Sequence, residues 1–467
     1  MAADGTLFEK IWRRHVVADE GDGFALIHVD RQIVVDANGR AFPSLAERGL
    51  TVRNPELTFA TADHLVPTDP AHPDRFARQS VPMQELRDGT ARAGIRLFDI
   101  GEAGHGIVHV IAPEMGISQP GMTICVGDSH TCTNGALGAL AWGVGQGEIV
   151  HILATQTTRQ KKPGTMRIRL DGTLPPWATG KDLILYLIGQ IGVGAGNGYA
   201  VEYAGSAIRA LPMEGRFTVC NMSVEFGARY GMIAPDETTF AYLDGRPYAP
   251  KGEMWERAVA DWRTLPSDDD ARFDAERALD VAGLLPQVTW GNSLDAVLPL
   301  DGVVPDPDRE PDAARRADMK GWLAYMDLVP GRPIEGTPVD QVFIGSCTNS
   351  RLSDLRAAAA LVKGHKVAPG TRAWAVPGSV NVKRDAEAEG LDAIFRAAGF
   401  EWREPGCSMC VGMNGDTLKP GQRSVSTSNR SFAGRQGPGS RTHVASPLVA
   451  AASALAGAIA DPRKLMS

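Results

Sequence analysis

The sequence predicts an α/β protein of two or three domains whose strands run parallel. Three observations carry this. The chain has 467 residues, 43% of them hydrophobic, and a single core seldom grows past about 250–300 residues. Short apolar runs alternate with stretches of helical spacing, the rhythm of strand–helix–strand units. The 52 glycines and 31 prolines show no repeating period, which indicates many tight turns and close backbone approaches.

In chain order, residues 6–17 form a helix with Leu7, Ile11 and Trp12 on one face, and FALIHV (24–29) is a strand. IVHVIA (107–112) and MTICVG (122–127) read as further strands, and the run 148–160 after the glycine-rich 135–147 reads as a helix. A helix is predicted at 180–192 and a strand at RFTVCN (216–221). The α/β rhythm then returns, with strands at 340–346 and 374–376 and helices at 353–364, 380–388, 391–399 and 444–461. The expected domains are 1–163, 164–295 and 296–467, with the Asp-, Pro- and Arg-rich residues 300–317 as a linker or surface excursion.

Composition narrows the function. A net charge of −7 argues against nucleic-acid binding, which calls for a basic excess. No run of 18 or more apolar residues is present, so no membrane span is expected. The N-terminus lacks a secretory layout, and six cysteines are too few for a disulfide scaffold. A cytoplasmic enzyme is the expectation.

Three of those cysteines are placed for metal chemistry. Cys347 follows a predicted strand in GSCTNS, and Cys407 and Cys410 form C-S-M-C in a turn. Three thiolates at loop ends fit an iron–sulfur cluster that leaves one iron open as a Lewis acid. A zinc half-site, a redox pair or inert core cysteines fit the spacing too, although zinc usually takes a fourth Cys or His. Cys125, Cys132 and Cys220 have no such spacing and read as small packed residues.

Several longer motifs occur in order: LFDIGEAGHGIVHV (97–110), VGDSHTCTNGALGALAWGVG (126–145), MEGRFTVCNMSVEFGAR (213–229), APDETTF (234–240), QVTWG (287–291), FIGSCTNSR (343–351), PGCSMC (405–410) and STSNRSFAGRQG (426–437). On these the chain resembles the aconitase superfamily of iron–sulfur hydro-lyases, most closely its 3-isopropylmalate dehydratase large subunits. The resemblance implies three α/β/α-type domains around a 4Fe–4S cluster, with Cys347, Cys407 and Cys410 as ligands. It implies reversible dehydration of a 2-hydroxy dicarboxylate, 2-isopropylmalate to 3-isopropylmalate in leucine biosynthesis. It also implies a small-subunit partner of about 20 kDa, the size of one domain, equivalent to the mobile fourth domain of aconitase. That partner supplies the serine base, and no segment of this chain is assigned to it.

By the same resemblance Asp63 and His64 handle the departing hydroxyl, and Asp128, His130 and Glu225 complete the catalytic set. His109, Ser129, Arg430 and Arg435 bind substrate, while Asn221, Asn349 and Asn429 flank the cluster. A carboxylate beside an imidazole raises its pKa and orients it, and guanidinium groups suit a dicarboxylate. The Ser and His of GDSHT do not form a hydrolase triad, because no nucleophile elbow is present.

The chain departs from the family pattern after Asp30–Arg31, where Val35 stands at a position that usually carries His or Gln, and again at GQGEIVH (145–151). A valine there would alter recognition of a carboxylate or hydroxyl, which opens methylmalate or dimethylmalate as substrates. A non-catalytic metal-binding or scaffold relative is the alternative of another class.

Overall fold

The computed structural model describes residues 5–72 and 80–466. The described parts of Met1–Leu65, Phe76–Thr173 and Ala195–Val281 form one compact unit, and those of Val66–Arg75, Leu174–Gly194 and Ala282–Ser467 form a second.

In the first unit, a five-stranded sheet has Arg31–Val35 at its centre. Thr58–Thr61 and then Arg96–Phe98 lie on one side, and Thr123–Val126 and then Leu140–Gly143 on the other, all parallel. The chain thus builds outward one way, returns, and builds the other way. A second parallel sheet orders its strands Tyr230–Ile233, Tyr199–Ala204, Gly164–Asp171 and Ala275–Asp280. The first helix, Leu7–His15, is capped by Thr6, whose side chain accepts from Glu9 N, and it buries Leu7, Phe8, Ile11 and Trp12.

The second unit holds a five-stranded parallel sheet with the same strand order. Gln341–Ile344 is central, with Arg372–Ala375 and Glu401–Trp402 to one side and Arg423–Ser426 and Arg441–Val444 to the other. The helices Leu352–Val362, Val380–Ala388, Leu391–Ala398 and Pro447–Ala456 belong to it. The α/β class with parallel strands is as the sequence predicts. No described helix is long and apolar enough to cross a membrane.

Four elements differ from the sequence reading, each for a physical reason. Residues 107–112 are not a strand but the start of the helix Val108–Glu114. Asp63 Oδ2 accepts from Val108 N (2.9 Å) at the helix start. Val108, Ile111 and Ala112 share one face and pack into a cluster with Ile33, Val35, Phe59 and Phe98, so tertiary packing overrides β-branched propensity. RFTVCN is the end of the helix Met213–Asn221; all six residues are buried, which hides the helical period. The helix begun at Gln146 stops at Thr155 because Gln156 turns left-handed (φ 61°), and Thr157–Lys161 becomes a strand. The terminal helix narrows to Pro447–Ala456, preceded by a strand and closed by Gly457 at φ 68°. Within 300–317, Pro307–Arg309 make a 3₁₀ turn, and Asp312 caps the helix Ala313–Met326.

Val35 is fully buried in that apolar cluster. A histidine there must bury its ring nitrogens among hydrocarbon. Val35→His is expected to cost at least about 2 kcal/mol, read as a lower melting temperature, with no change in substrate ranking for the protein that folds.

Candidate active site and metal centre

Strand order decides where ligands can bind. Where an open parallel sheet reverses direction, the loops leaving the two neighbouring strands diverge and leave a crevice at their carboxyl ends. In the first unit that point lies between Arg31–Val35 and Thr123–Val126. Asp36 follows the first strand and Gly127–Asp128 the second, while Asp63 and His64 follow the neighbouring strand Thr58–Thr61.

These residues interlock. His64 Nδ1 is 2.6 Å from Asp63 Oδ1, and its Nε2 is 3.2 Å from Asp128 Oδ2. Asp128 Oδ1 accepts from His130 N (2.7 Å) and lies 2.8 Å from His109 Nε2. His130 Nε2 in turn is 2.7 Å from Glu225 Oε1. Asn221 donates to Thr133 Oγ1 (2.8 Å). The structure therefore brings together, within one unit, Asp63, His64, His109, Asp128, His130 and Glu225. Ser129 is exposed at the edge of this network. A cavity of about 280 Å³ opens there, lined by Gly127, Asp128, Ser129, Gly143, Val144, Val224 and Arg229.

The electrostatics follow from burial and pairing. Burial opposes the charge on His64, but Asp63 and Asp128 outweigh it and hold the imidazole well above its usual pKa. Burial also opposes ionisation of Asp128, yet hydrogen bonds from His109, His130 and His64 keep it well below the carboxylate range. Sequence reasoning missed Asp36. This fully buried carboxyl accepts from His64 N (3.1 Å) and Leu65 N (2.8 Å), so it fixes the backbone that carries His64. Burial and the charge of Asp63 push it up to about 6. Its only signal was an acidic residue ending an apolar strand. Arg229 was missed too, inside a motif otherwise read for Glu225.

The second unit repeats the geometry with sulfur. Its reversal point lies between Gln341–Ile344 and Arg423–Ser426. Cys347 follows the first strand and Asn429 the second. Asn429 Nδ2 donates to Cys347 Sγ (3.4 Å), and Cys410 Sγ donates to Asn429 Oδ1 (3.6 Å). One side chain thereby draws two of the three sulfurs together. Arg435 Nη2 donates to Cys410 Sγ (3.8 Å). Cys407 belongs to the same turn as Cys410, whose amide donates to Cys407 O (3.0 Å). Arg430 is half-buried beside Asn429, and Asn349 donates to Asp354 Oδ1 (2.9 Å).

The turns that present the cysteines are strained. Ser346, before Cys347, has φ 84°, and Ser408, after Cys407, has φ 48°. Left-handed non-glycine residues cost on the order of 1–3 kcal/mol each and persist where surroundings over-determine them. Here Ser346 Oγ is 2.6 Å from Thr348 Oγ1 and donates to Thr427 O (3.2 Å), and Ser408 Oγ donates to Asp416 Oδ2 (2.8 Å). Asp416 also accepts from Thr68 and Arg403. None of these supports was apparent from the sequence.

The donor set fits an iron–sulfur group better than a closed zinc site. Three buried thiols are ringed by Asn429 and Arg435, which can donate to sulfur, and Arg435 Nε is buried without a partner among the described residues. By contrast, Cys125, Cys132 and Cys220 are fully buried, and burial raises each thiol, Cys132 to about 12. They are inert packing groups.

In each unit a parallel sheet presents a cluster at its strand carboxyl ends, acid–imidazole in one and cysteine in the other. The profile of the Aconitase family (aconitate hydratase) matches residues 9–457. The chain belongs to that family. It is 60% identical over 461 residues to the 3-isopropylmalate dehydratase large subunit 1 of Bradyrhizobium diazoefficiens, covering 98% of this chain and 97% of that one. It is 54% identical to the 3-isopropylmalate dehydratase large subunit of Roseiflexus castenholzii, covering 98% and 99%. The corresponding subunit of Anaeromyxobacter dehalogenans is 53% identical, covering 99% and 97%.

The His64–Asp128 pairing makes stability depend on pH in both directions. The raised imidazole stabilises the fold fully below about pH 6.5, its unfolded value, and loses that contribution as pH rises through the higher folded value. The lowered carboxylate stabilises fully above about pH 3.9 and loses its contribution as pH falls through its folded value. Asp128→Asn is expected to destabilise by about 3–5 kcal/mol, the cost of leaving a buried partner uncompensated. An NMR titration should show the His64 pKa falling in that variant.

Proposed function

We propose that this chain is the large catalytic subunit of a cytoplasmic iron–sulfur hydro-lyase that interconverts 2-isopropylmalate and 3-isopropylmalate by removing and re-adding water, the dehydratase step of leucine biosynthesis. The observation that carries the reading is Asn429 spanning Cys347 and Cys410 at a strand-reversal point. The names of relatives 53% to 60% identical over nearly the whole chain support it.

Cys347, Cys407 and Cys410 hold the cluster, with Asn429 and Arg435 donating to their sulfurs. Bound there, a 4Fe–4S cluster would supply Lewis acidity. The chain's own residues move the proton. His64 Nε2, kept protonated by Asp63 and Asp128, donates to the departing hydroxyl oxygen, and on re-addition it takes a proton back from water. His109, His130 and Glu225 hold Asp128 and the surrounding hydrogen bonds in place. Ser129 and Arg229 line the cavity that also exposes Val144 and Val224, so a carboxylate and a short branched alkyl group suit it. In the unit that carries the cysteines, Arg430 and Arg435 offer guanidinium groups of the kind that bind a carboxylate.

A small subunit of about 20 kDa, one domain in size, contributes the base that takes the carbon-bound proton. Of the two departures that opened methylmalate or dimethylmalate as substrates, Val35 lies in the apolar core, and residues 145–151 begin the helix Gln146–Thr155.

Cys347→Ser is expected to abolish iron and sulfide binding after anaerobic reconstitution, with the fold intact by circular dichroism; retained cluster absorbance would refute the ligand assignment. The reconstituted chain alone should turn over isopropylmalate at under about a hundredth of the rate reached with its small subunit, because a missing general base costs about 10²–10⁴-fold. Comparable turnover without a partner would sink the half-enzyme reading.

A further inference from the structure

Lys181 has no place in the chemistry described so far, yet it is fully buried. It sits at the start of the helix Gly180–Ile191, in the same unit as the cysteines. Its ammonium donates to Thr427 O (2.9 Å) and Ser428 O (2.7 Å). Among the described residues it has no carboxylate partner. The two nearest in sequence or charge are already engaged: Asp182 accepts from Thr179 and Gln287 N, and Asp354 from Asn349 and Arg351 N.

A buried cation bonded only to neutral carbonyls is costly and calls for an anion close by. Burial lowers its pKa to about 7, and the groups that oppose this are, in order of strength, Cys410, Cys347, Asp354 and Asp182. The carbonyls it holds belong to the two residues that lead into Asn429, the side chain that bridges two sulfurs.

We propose that Lys181 is the buried counter-charge of the cysteine centre. It is a positioning residue: its ammonium offsets the negative charge of the Cys347, Cys407 and Cys410 thiolates in the loaded protein and pins the Thr427–Ser428 backbone that sets Asn429. This rests on the iron–sulfur reading given above.

The test uses the full chain, reconstituted anaerobically with iron and sulfide, as wild type and as Lys181→Met, Lys181→Gln and Lys181→Arg. Gln keeps an amide donor for the carbonyls without the charge, so it carries the test should Met fail to fold. Loss of the charge in the Met or Gln chain should move the cluster's midpoint potential to a more negative value and speed iron release to a chelator several-fold. Arg should stay near wild type. A folded Met or Gln chain with wild-type potential and iron-release rate overturns the proposal, as does an Arg variant displaced as far as they are. Wild-type chain that takes up no cluster overturns the iron–sulfur reading itself and this inference with it, whereas a normal wild-type cluster beside unmoved variants removes Lys181 alone.

Discussion

A carboxylate taken out of water stays ionised only if the protein replaces the water's hydrogen bonds, and Asp128 is where this chain does so. Its two oxygens meet the rings of His64 and His109 and the backbone amide of His130, whose ring lies 3.5 Å away. Those contacts keep Asp128 charged, and Asp63 together with Asp128 keeps His64 charged. Neither charge would survive alone at that depth. Asp63 is tied to the same network at His64 and to the helix Val108–Glu114 through Val108 N. His64 is therefore held by three separate stretches of chain, which fixes its position as well as its protonation state.

The fold makes this affordable by putting the polar groups where the backbone has no competing demand for them. The inner strands of the two five-stranded sheets are buried, and the candidate site residues lie one to three residues past their carboxyl ends. Val35 gives way to Asp36, Thr61 to Asp63 and His64, Val126 to Asp128. In the second unit Ile344 gives way to Cys347 and Ser426 to Asn429. The same strand order thus presents carboxylates and imidazoles in one unit and sulfur in the other. Both sets are buttressed from behind. Asp36 accepts the amides of His64 and Leu65, and Asp416 gathers Ser408, Thr68 and Arg403 around the turn that carries Cys407 and Cys410.

Some of this was legible in the residues. The α/β rhythm follows from hydrophobic spacing, which survives wherever an element has one wet face, as in Leu7–His15. It fails where an element is buried on all sides. That is why RFTVCN and IVHVIA read as strands although they are helical, and why their period could not correct the error. The reactive residues were legible because their types are few and their motifs long. Asp36, Lys181, Thr68 and Asp416 were not, because their importance lies in partners 28 to 348 positions away along the chain.

By itself, then, the sequence determined the α/β class and singled out the three cysteines and the carboxyl and imidazole groups of the candidate site. Local spacing and side-chain chemistry are properties of short segments, so they can be read without the fold. Only the tertiary structure decided that Val35 belongs to the core and not to the site, that Asp128 collects three histidines, and that one asparagine spans two sulfurs. Those facts depend on which distant segments meet at a strand end, and on the burial that makes an unpaired charge there too costly to leave alone.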